Sequence, residues 1–215
     1  RPFIFGMVDP YHDEVLFAIP KLLETPPAGY LPDYPSLINP FDIWDGQAKT
    51  MVYNLNNNPN FWMGSYSFTP DYFISLSNKL YSFKNGNLYL HNQTNQSNNY
   101  YGVQYTSKIM CISNKIPQRP KVFYNISSES NLVPLFTYFY NDYPELQTSD
   151  LLYDDYNDLE GIFYATIRRN KVLLTEEGYT YDGLMTGDNM RNVAMRIMIE
   201  YDVSGEFLAL KFLNI

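Results

Sequence analysis

The segment from Leu80 to His91 constrains the fold most strongly, because it contains two short alternating runs around a two-residue turn. Asn85 and Gly86 occupy the turn, and both residue types tolerate the positive φ that a type I′ hairpin requires. Strand alternation separates two faces, one with Tyr81, Phe83, Leu88 and Leu90 and the other with Ser82, Lys84, Asn87 and His91. The pattern is typical of a half-buried antiparallel pair and places Phe83 opposite Leu88.

Similar strand-like runs occupy most of the remaining chain. Residues 61–68 and 73–76 precede the hairpin and extend it into a meander of short strands. Residues 3–8 and 14–19 are predicted as a second hairpin, joined by the turn formers of residues 9–13. Further strands are predicted at residues 49–55, 108–113, 121–126, 134–140, 160–169, 190–201 and 207–213. No helical periodicity persists beyond about two turns. We therefore expect an all-β fold of antiparallel meanders, for which a β-propeller-like arrangement is one form.

Two long segments interrupt the strands. Residues 20–46 contain Pro20, Pro26, Pro27, Pro32, Pro35 and Pro40. Proline removes a backbone donor and biases its predecessor toward extended geometry, so we expect a Pro-rich excursion across a surface, or an arm toward a neighbouring molecule. Residues 141–159 are acidic and rich in tyrosine. Here we expect an acidic loop with one short helical turn.

Residues 1–215 are predicted to form a single all-β domain, or to be a fragment of a larger β protein. A chain of 215 residues is long enough to bury a core without disulfides or metals. The first residue is Arg1 rather than Met, and the last residues, FLALKFLNI, are still strand-like. These two features favour the fragment.

The composition favours sheets and molecular contacts over helix bundles. Aromatic residues make up 17% of the chain, with 21 Tyr, 14 Phe and 2 Trp, and Tyr and Phe suit pleated, half-buried surfaces. The formal net charge of −8 argues against a surface that grips nucleic acid by its phosphates. It fits simple solubility, or an acidic wall past which a polyanion slides without binding. No apolar run is long enough to span a membrane.

Few residues are candidates for chemistry, and each has a simpler structural explanation. The single cysteine, Cys111, has apolar neighbours and no basic cluster nearby, which predicts a buried, unreactive thiol. His12 and His91 lie far apart in the sequence without metal-like partners, and Asp13 beside His12 is expected to be a turn residue. A cluster of carboxylates could suggest a calcium site, but its spacing does not follow that of a calcium-binding loop. The cluster comprises Asp150, Asp154, Asp155, Asp158 and Glu160.

The remaining candidates are one basic cluster and two aromatic pairs. Residues 168–171 form the basic cluster, expected at a strand end, where it can meet an acidic neighbouring subunit. Trp62 with Tyr66, or Tyr100 with Tyr101, can stack on a sugar ring, although a place in the core or in an interface is the simpler explanation. Motifs for a nucleophile elbow, a phosphate loop or a zinc protease are missing from the sequence. We therefore predict no catalytic, cofactor-binding or metal-binding residues, no cofactor, and no enzyme activity.

Several of these runs together resemble a known family. In the first half they are GMVDP at 6–10, EVLF at 14–17, TMVYN at 50–54, FW at 61–62, SYSFTPD at 65–71, LYSFKNG at 80–86 and LYLHN at 88–92. In the second half they are EGIFYATIRRN at 160–170 and TGDNMR at 186–191. In these residues the chain resembles the tail proteins known as stabilisation or muzzle proteins of crAss-like gut bacteriophages. The resemblance covers about half of the chain and is weak from Gln93 to Asp158.

The resemblance implies a structural virion protein of a short phage tail, located in the virion. Such a protein would form a homo-oligomeric ring, a hexamer, as the muzzle or nozzle at the distal end of the tail. It would be seated on other tail and ring proteins and would surround the channel through which genomic DNA, without specific binding, and cargo proteins leave. It would carry no catalytic residues.

Two other classes of protein remain open. One is a carbohydrate-binding β module of a bacterial surface or of a phage receptor-binding protein, and the other is a glycan-degrading tail enzyme. A ring predicts a mass that is a multiple of 25.2 kDa, whereas a separate module predicts the mass of one copy.

Overall fold

The computed structural model of this chain describes residues 4–19, 48–56, 61–93, 96–141, 146–170, 175–176, 179–180, 187–204 and 208–215. The Pro-rich excursion predicted at 20–46 lies outside the described residues. The chain divides into two compact units, Arg1–Tyr105 and Thr106–Ile215. Whether residues 1–215 act as one domain or belong to a larger β protein stays a prediction.

The first unit contains two larger antiparallel sheets and one small hairpin. Strands β1 to β4 form a four-stranded sheet in chain order, and β5 to β7 form a three-stranded sheet. The bounds are β1 Phe5–Asp9, β2 Glu14–Ile19, β3 Lys49–Asn54, β4 Phe61–Tyr66, β5 Tyr72–Leu76, β6 Lys79–Lys84, β7 Asn87–Leu90, β8 Asn99–Tyr100 and β9 Val103–Gln104. Strands β8 and β9 pair with each other. The predicted meanders are confirmed.

The hairpin of β6 and β7 has the predicted turn and register. Asn85 and Gly86 have φ values of 51° and 78°, which are the left-handed values that a type I′ turn needs. Phe83 lies opposite Leu88, and Lys84 lies opposite Asn87. The turn residues alone therefore determine which side chains face each other.

Of the two faces of this hairpin, the three-stranded sheet buries the more polar one, which contains Ser82, and exposes the more apolar one. Leu80 and Ser82 are buried, whereas Phe83 and Leu88 are exposed. The neighbouring strand explains the choice, because Phe73 of β5 lies opposite Ser82 and is itself buried. The alternation within one hairpin could not reveal which face meets the second sheet.

The core of the first unit lies between its two larger sheets. Leu16, Ala18 and Val52 from the four-stranded sheet belong to one buried cluster with Phe73 and Leu80 from the three-stranded sheet. Phe68, in the connection between the sheets, completes this cluster. The buried Thr50 hydroxyl donates a hydrogen bond of 2.5 Å to the backbone carbonyl of Phe68. This bond ties the connection to the four-stranded sheet.

The second unit is also antiparallel. Its strands are β10 Ser107–Ser113, β11 Lys121–Val122, β12 Asn125–Ser130, β13 Phe136–Asn141, β14 Gln147–Leu152, β15 Asn157–Leu159, β16 Ile162–Thr166, β17 Thr175–Glu176, β18 Tyr179–Thr180, β19 Arg191–Asn192, β20 Met195–Tyr201 and β21 Leu210–Asn214. One four-stranded sheet has the order β10-β20-β13-β14, and another has the order β15-β16-β12-β21. The pairs β11 with β19 and β17 with β18 complete the described strands.

The core of the second unit is built around β20 and β13. Ile197, Ile199 and Tyr201 of β20 are fully buried and cluster with Phe139 of β13. Ile126 of β12 adds the second sheet to this cluster. The alternation predicted for residues 134–140 is present, because Phe136, Tyr138 and Tyr140 lie along the opposite face of β13 in a stacked row.

Two segments differ from the sequence expectations. Residues 141–159 were expected to form a loop, but they contain strands β14 and β15. In β14, Ser149 and Leu151 share the face of the buried Phe139, whereas Thr148 is buried on the other face, opposite Tyr140. Polar residues are thus buried on both faces, so alternation in hydrophobicity could not reveal the strand. The expected short helical turn is present as a 3₁₀ helix at Tyr153–Asp155. The strand expected at 121–126 is divided, with β11 ending at Val122 and β12 beginning at Asn125.

Within the described ranges the fold is all-β, as predicted, with one short 3₁₀ helix and no α-helix. None of the helices in these ranges is long and apolar enough to cross a membrane. A propeller-like arrangement stays a prediction.

The φ of Gly86 generates the first testable prediction. A Cβ at Gly86 would meet no atom within 4 Å, so the substitution Gly86→Ala tests backbone strain alone. We expect it to lower the free energy of unfolding by about 1–2 kcal/mol in urea titrations. Asn85→Gly is the control, since glycine adopts the same left-handed conformation without a penalty. Equal losses in both variants would contradict the assigned turn.

Candidate functional site

The first unit contains a cavity of about 510 Å³. The hairpin of β1 and β2 supplies Asp9 and His12, the end of β7 supplies His91, and the β8–β9 hairpin supplies Tyr100 and Tyr101. Amide side chains also line the cavity, at Asn92, Gln93, Gln96, Asn98 and Asn99. The lining therefore combines carboxylate, imidazole, phenol and amide groups.

Asp9 is the most buried charged group of this cavity, with an exposed fraction of 2%. Its carboxylate accepts a hydrogen bond from the Tyr11 backbone N–H at 3.0 Å and lies 2.9 Å from His12 Nδ1. The Asn92 amide donates to the same carboxylate at 3.3 Å. Both oxygens of the buried carboxylate therefore have hydrogen-bond partners, Oδ1 with the Tyr11 backbone and Oδ2 with His12 and Asn92.

Glu14 is the residue opposite Asp9 in the β1–β2 hairpin and has an exposed fraction of 6%. Its carboxylate accepts a hydrogen bond of 3.1 Å from the Tyr66 hydroxyl. Burial raises the pKa of Tyr66 far above its usual value, and the negative charge of Glu14 raises it further. Tyr66 therefore stays protonated and donates to Glu14 throughout the range in which the protein is handled.

Asp9, His12 and Glu14 together are the one group of three possible metal ligands in the described part of the chain. Their ligand atoms lie within 4.8 Å of one another. Two carboxylates and an imidazole can hold a divalent cation. Asp13 was expected to be a turn residue, and it lies in the β1–β2 turn with a φ of 55°. Its carboxylate accepts a hydrogen bond of 2.6 Å from the Asn56 amide. The signal that was overlooked is the hairpin, which brings positions 9, 12 and 14 together. The expectation from the sequence that the chain binds no metal stays a prediction.

The aromatic part of the cavity is packed around Phe68. Its ring centroid lies 4.6 Å from that of Tyr100 and 4.8 Å from that of His91. The Ser82 hydroxyl links His91 Nε2 at 2.7 Å and the Tyr101 hydroxyl at 2.8 Å. Burial raises the pKa of Tyr100 and of Tyr101 to about 12, and burial lowers the pKa of His91 below 6.5. These side chains are neutral at pH 7.

The other candidates from the sequence have structural roles. Cys111 is half-buried in β10, and burial raises the pKa of its thiol, in agreement with an unreactive thiol. Arg168 contacts Asp155, and its guanidinium lies 3.6 Å from Asp150, so part of the basic cluster is neutralised within its own unit. Lys171 lies outside the described residues.

The two aromatic pairs have different positions. Trp62 lies across from Tyr53, with ring centroids 5.2 Å apart, and is exposed. Tyr66, in contrast, packs against the core, so Trp62 and Tyr66 lie on opposite faces of β4 and do not form one sugar-binding pair. Tyr100 and Tyr101 both line the cavity.

A comparison with known protein families finds a match in the middle of the chain. Residues 95–170 match the model of the Crassvirus muzzle protein C-terminal domain. Over these residues the chain is similar to that domain of crassvirus muzzle proteins. It covers β8 to β16, including the middle of the chain where the sequence resemblance was weak. None of the curated protein sequences matches this chain.

The match confirms the resemblance to crAss-like phage muzzle proteins. Muzzle proteins are structural components of the virion tail, so the predicted structural role and virion location are confirmed at this level. Asp9 and Glu14 lie outside the matched segment, whereas the β8–β9 hairpin that lines the cavity with Tyr100 and Tyr101 lies within it.

The hydrogen bond between Tyr66 and Glu14 generates the second prediction. We expect Tyr66→Phe to lower the free energy of unfolding by about 1.5–3 kcal/mol, because it removes a donor from a buried carboxylate. Tyr72→Phe is the control, because Tyr72 is mostly exposed and should change stability by less than about 0.5 kcal/mol. Chemical denaturation of both variants measures the difference. Equal stabilities for the two variants would show that the hydroxyl of Tyr66 does not stabilise Glu14.

The lowered pKa of His91 generates the third prediction. The unfolded chain binds a proton near pH 6.5, whereas burial disfavours the charged imidazole in the folded protein. The unfolded state therefore takes up more protons as pH falls, and stability should decrease below about pH 6.5. Denaturation at pH 7.5 and at lower pH should show a smaller decrease for His91→Gln than for the natural chain. An unchanged pH dependence in this variant would contradict the assignment.

Proposed function

We propose that this chain is a subunit of a ring, the muzzle or nozzle of a short phage tail, that surrounds the channel for ejection of the genome and cargo proteins. The observation that carries the proposal is the match of residues 95–170 to the muzzle protein domain. The neighbours of the ring would be other tail and ring proteins. A hexamer is the ring that the resemblance implies.

The charge of the chain supports a channel that does not bind its cargo. The formal net charge is −8, and Arg168 and Lys211 are each engaged by a carboxylate within the same unit. Phosphate contacts need accessible Lys and Arg side chains. A surface with this balance repels genomic DNA, which can then move through the ring without specific binding.

We also propose that the chain has no enzyme activity. In the cavity, the Asp9 carboxylate already accepts bonds from the Tyr11 backbone and from Asn92, and Glu14 is held by Tyr66. A general acid or base must reach the proton that it transfers, and these carboxylates are turned toward partners within the protein. Their arrangement is explained by the stability of the hairpin.

One observation favours a second function, the binding of a carbohydrate. The cavity joins Tyr100 and Tyr101 with amide side chains such as Asn92 and Gln93. Aromatic rings stack on sugar rings, and amides exchange hydrogen bonds with hydroxyl groups. In this alternative, the chain is a module that recognises a bacterial surface glycan.

The mass in solution is the fourth prediction and tests the main proposal. Native mass spectrometry and sedimentation of the chain should give a closed assembly, with six copies of 25.2 kDa for a hexamer. The mass should stay constant over a tenfold range of protein concentration, since a closed ring has no free end to extend. A mass of one copy, together with binding on a glycan array that Tyr101→Ala abolishes, would contradict the ring and support the carbohydrate module.

A further inference from the structure

The first unit has an apolar surface on the outside of each of its two larger sheets. The inner faces of these sheets meet in the core around Leu16 and Phe73. Since side chains alternate across a strand, the outer faces point away from each other. The unit therefore carries two separate apolar surfaces on opposite sides.

The outer surface of the four-stranded sheet is here named the Trp62 face. Trp62 is 56% exposed, and its ring packs against Tyr53 at 5.2 Å and Phe17 at 5.6 Å between centroids. Val8 is exposed at the other edge of the sheet, in the row that runs from Trp62 through Tyr53 and Val15. Val15, opposite Tyr53, and Met51, opposite Phe17, extend the same face.

The outer surface of the three-stranded sheet is here named the Leu88 face. Leu88 and Tyr72 are each 57% exposed, and Leu76 is 59% exposed. The register aligns Tyr72, Phe83 and Leu88 in one row across the sheet. Ile74 and Tyr81 form the next row. Side chains of roughly 150–250 Å² each leave on the order of 400 Å² of apolar surface on this face.

The largest apolar patch on a typical soluble monomer covers about 300–600 Å² and is often functional, and the Leu88 face alone has that size. It is about half of the roughly 800 Å² that one partner contributes to a stable interface. The remainder would come from the polar rim. No strand position on either outer face carries Asp or Glu, although the chain has a net charge of −8. The two faces are therefore the places where acidic copies can approach with the least repulsion.

We propose that the Trp62 face of one copy binds the Leu88 face of the next copy. This inference rests on the proposed ring, because two different faces on opposite sides of a unit allow head-to-tail contacts that continue around a closed ring. A contact of either face with itself would stop at a dimer. The partner is thus a second copy of this chain, and each copy contributes one face of each kind.

Glutamate substitutions at the two faces are the fifth prediction. Leu88→Glu and Trp62→Glu should each convert the assembly to monomers, because a carboxylate at the centre of a dry interface weakens it on the order of 100-fold or more. Val8→Glu is a second variant of the Trp62 face that leaves its ring contacts in place. Ile112→Glu is the matched control, since Ile112 is an exposed apolar residue of the second unit. Circular dichroism and urea midpoints confirm folding.

Mixing the two variants tests the direction of the contact. A Leu88→Glu copy retains its Trp62 face, and a Trp62→Glu or Val8→Glu copy retains its Leu88 face. One contact can then form, between the Trp62 face of the first copy and the Leu88 face of the second. The equimolar mixture should therefore give a dimer of twice 25.2 kDa, while each variant alone stays monomeric. The mixture should contain one copy of each variant per dimer, as native mass spectrometry can measure.

Three results would overturn this inference without affecting the proposed ring. They are an intact ring in either folded variant, a dimer formed by one variant alone, and a mixture that stays monomeric. If the natural chain itself is a monomer, the proposed ring fails and the inference fails with it. The control Ile112→Glu should assemble like the natural chain. If it does not assemble, an added charge breaks the ring wherever it is placed, and the assignment of the two faces is also overturned.

Discussion

A β-strand has two faces, and in the first unit of this protein both faces are rich in apolar side chains although there is only one interior. Leu16, Val52 and Phe73 fill the interior, so Trp62 and Leu88 remain on the outside. Burial of apolar surface stabilises by about 25 cal/mol per Å², and the outer faces lack that contribution in a single copy. Covering the outer faces would therefore add stability that a single copy lacks.

The interior also contains polar groups, and their hydrogen bonds determine the shape of the cavity. Asp9, Glu14 and Ser82 are buried, and each has a partner from another part of the first unit, respectively Asn92, Tyr66 and His91. An unpaired buried carboxylate or hydroxyl would cost several kcal/mol. These bonds join the β1–β2 hairpin to the end of β7 and stabilise one arrangement of the two sheets.

The second unit shows how a match to a family model and the fold complement each other. The matched segment, residues 95–170, includes the central strand β13 and its edge partner β14. Yet β20, which lies between β10 and β13, follows the matched segment in the chain. The core at Phe139 is therefore completed by Ile197 and Ile199 from outside the match. The family match covers only part of the second unit, and the fold of this unit needs the rest of the chain.

The sequence by itself determined the local structure. The Asn85-Gly86 turn and the period-2 patterns specified hairpins, register and an all-β class, because backbone sterics and strand alternation are properties of neighbouring residues. The tertiary structure decided which face of each strand became buried and whether 147–152 formed a strand. It also brought Asp9, His12 and Glu14 together beside Tyr66. These outcomes depend on which sheet packs against which, and that free energy arises from contacts between residues far apart in the chain, which no local pattern contains.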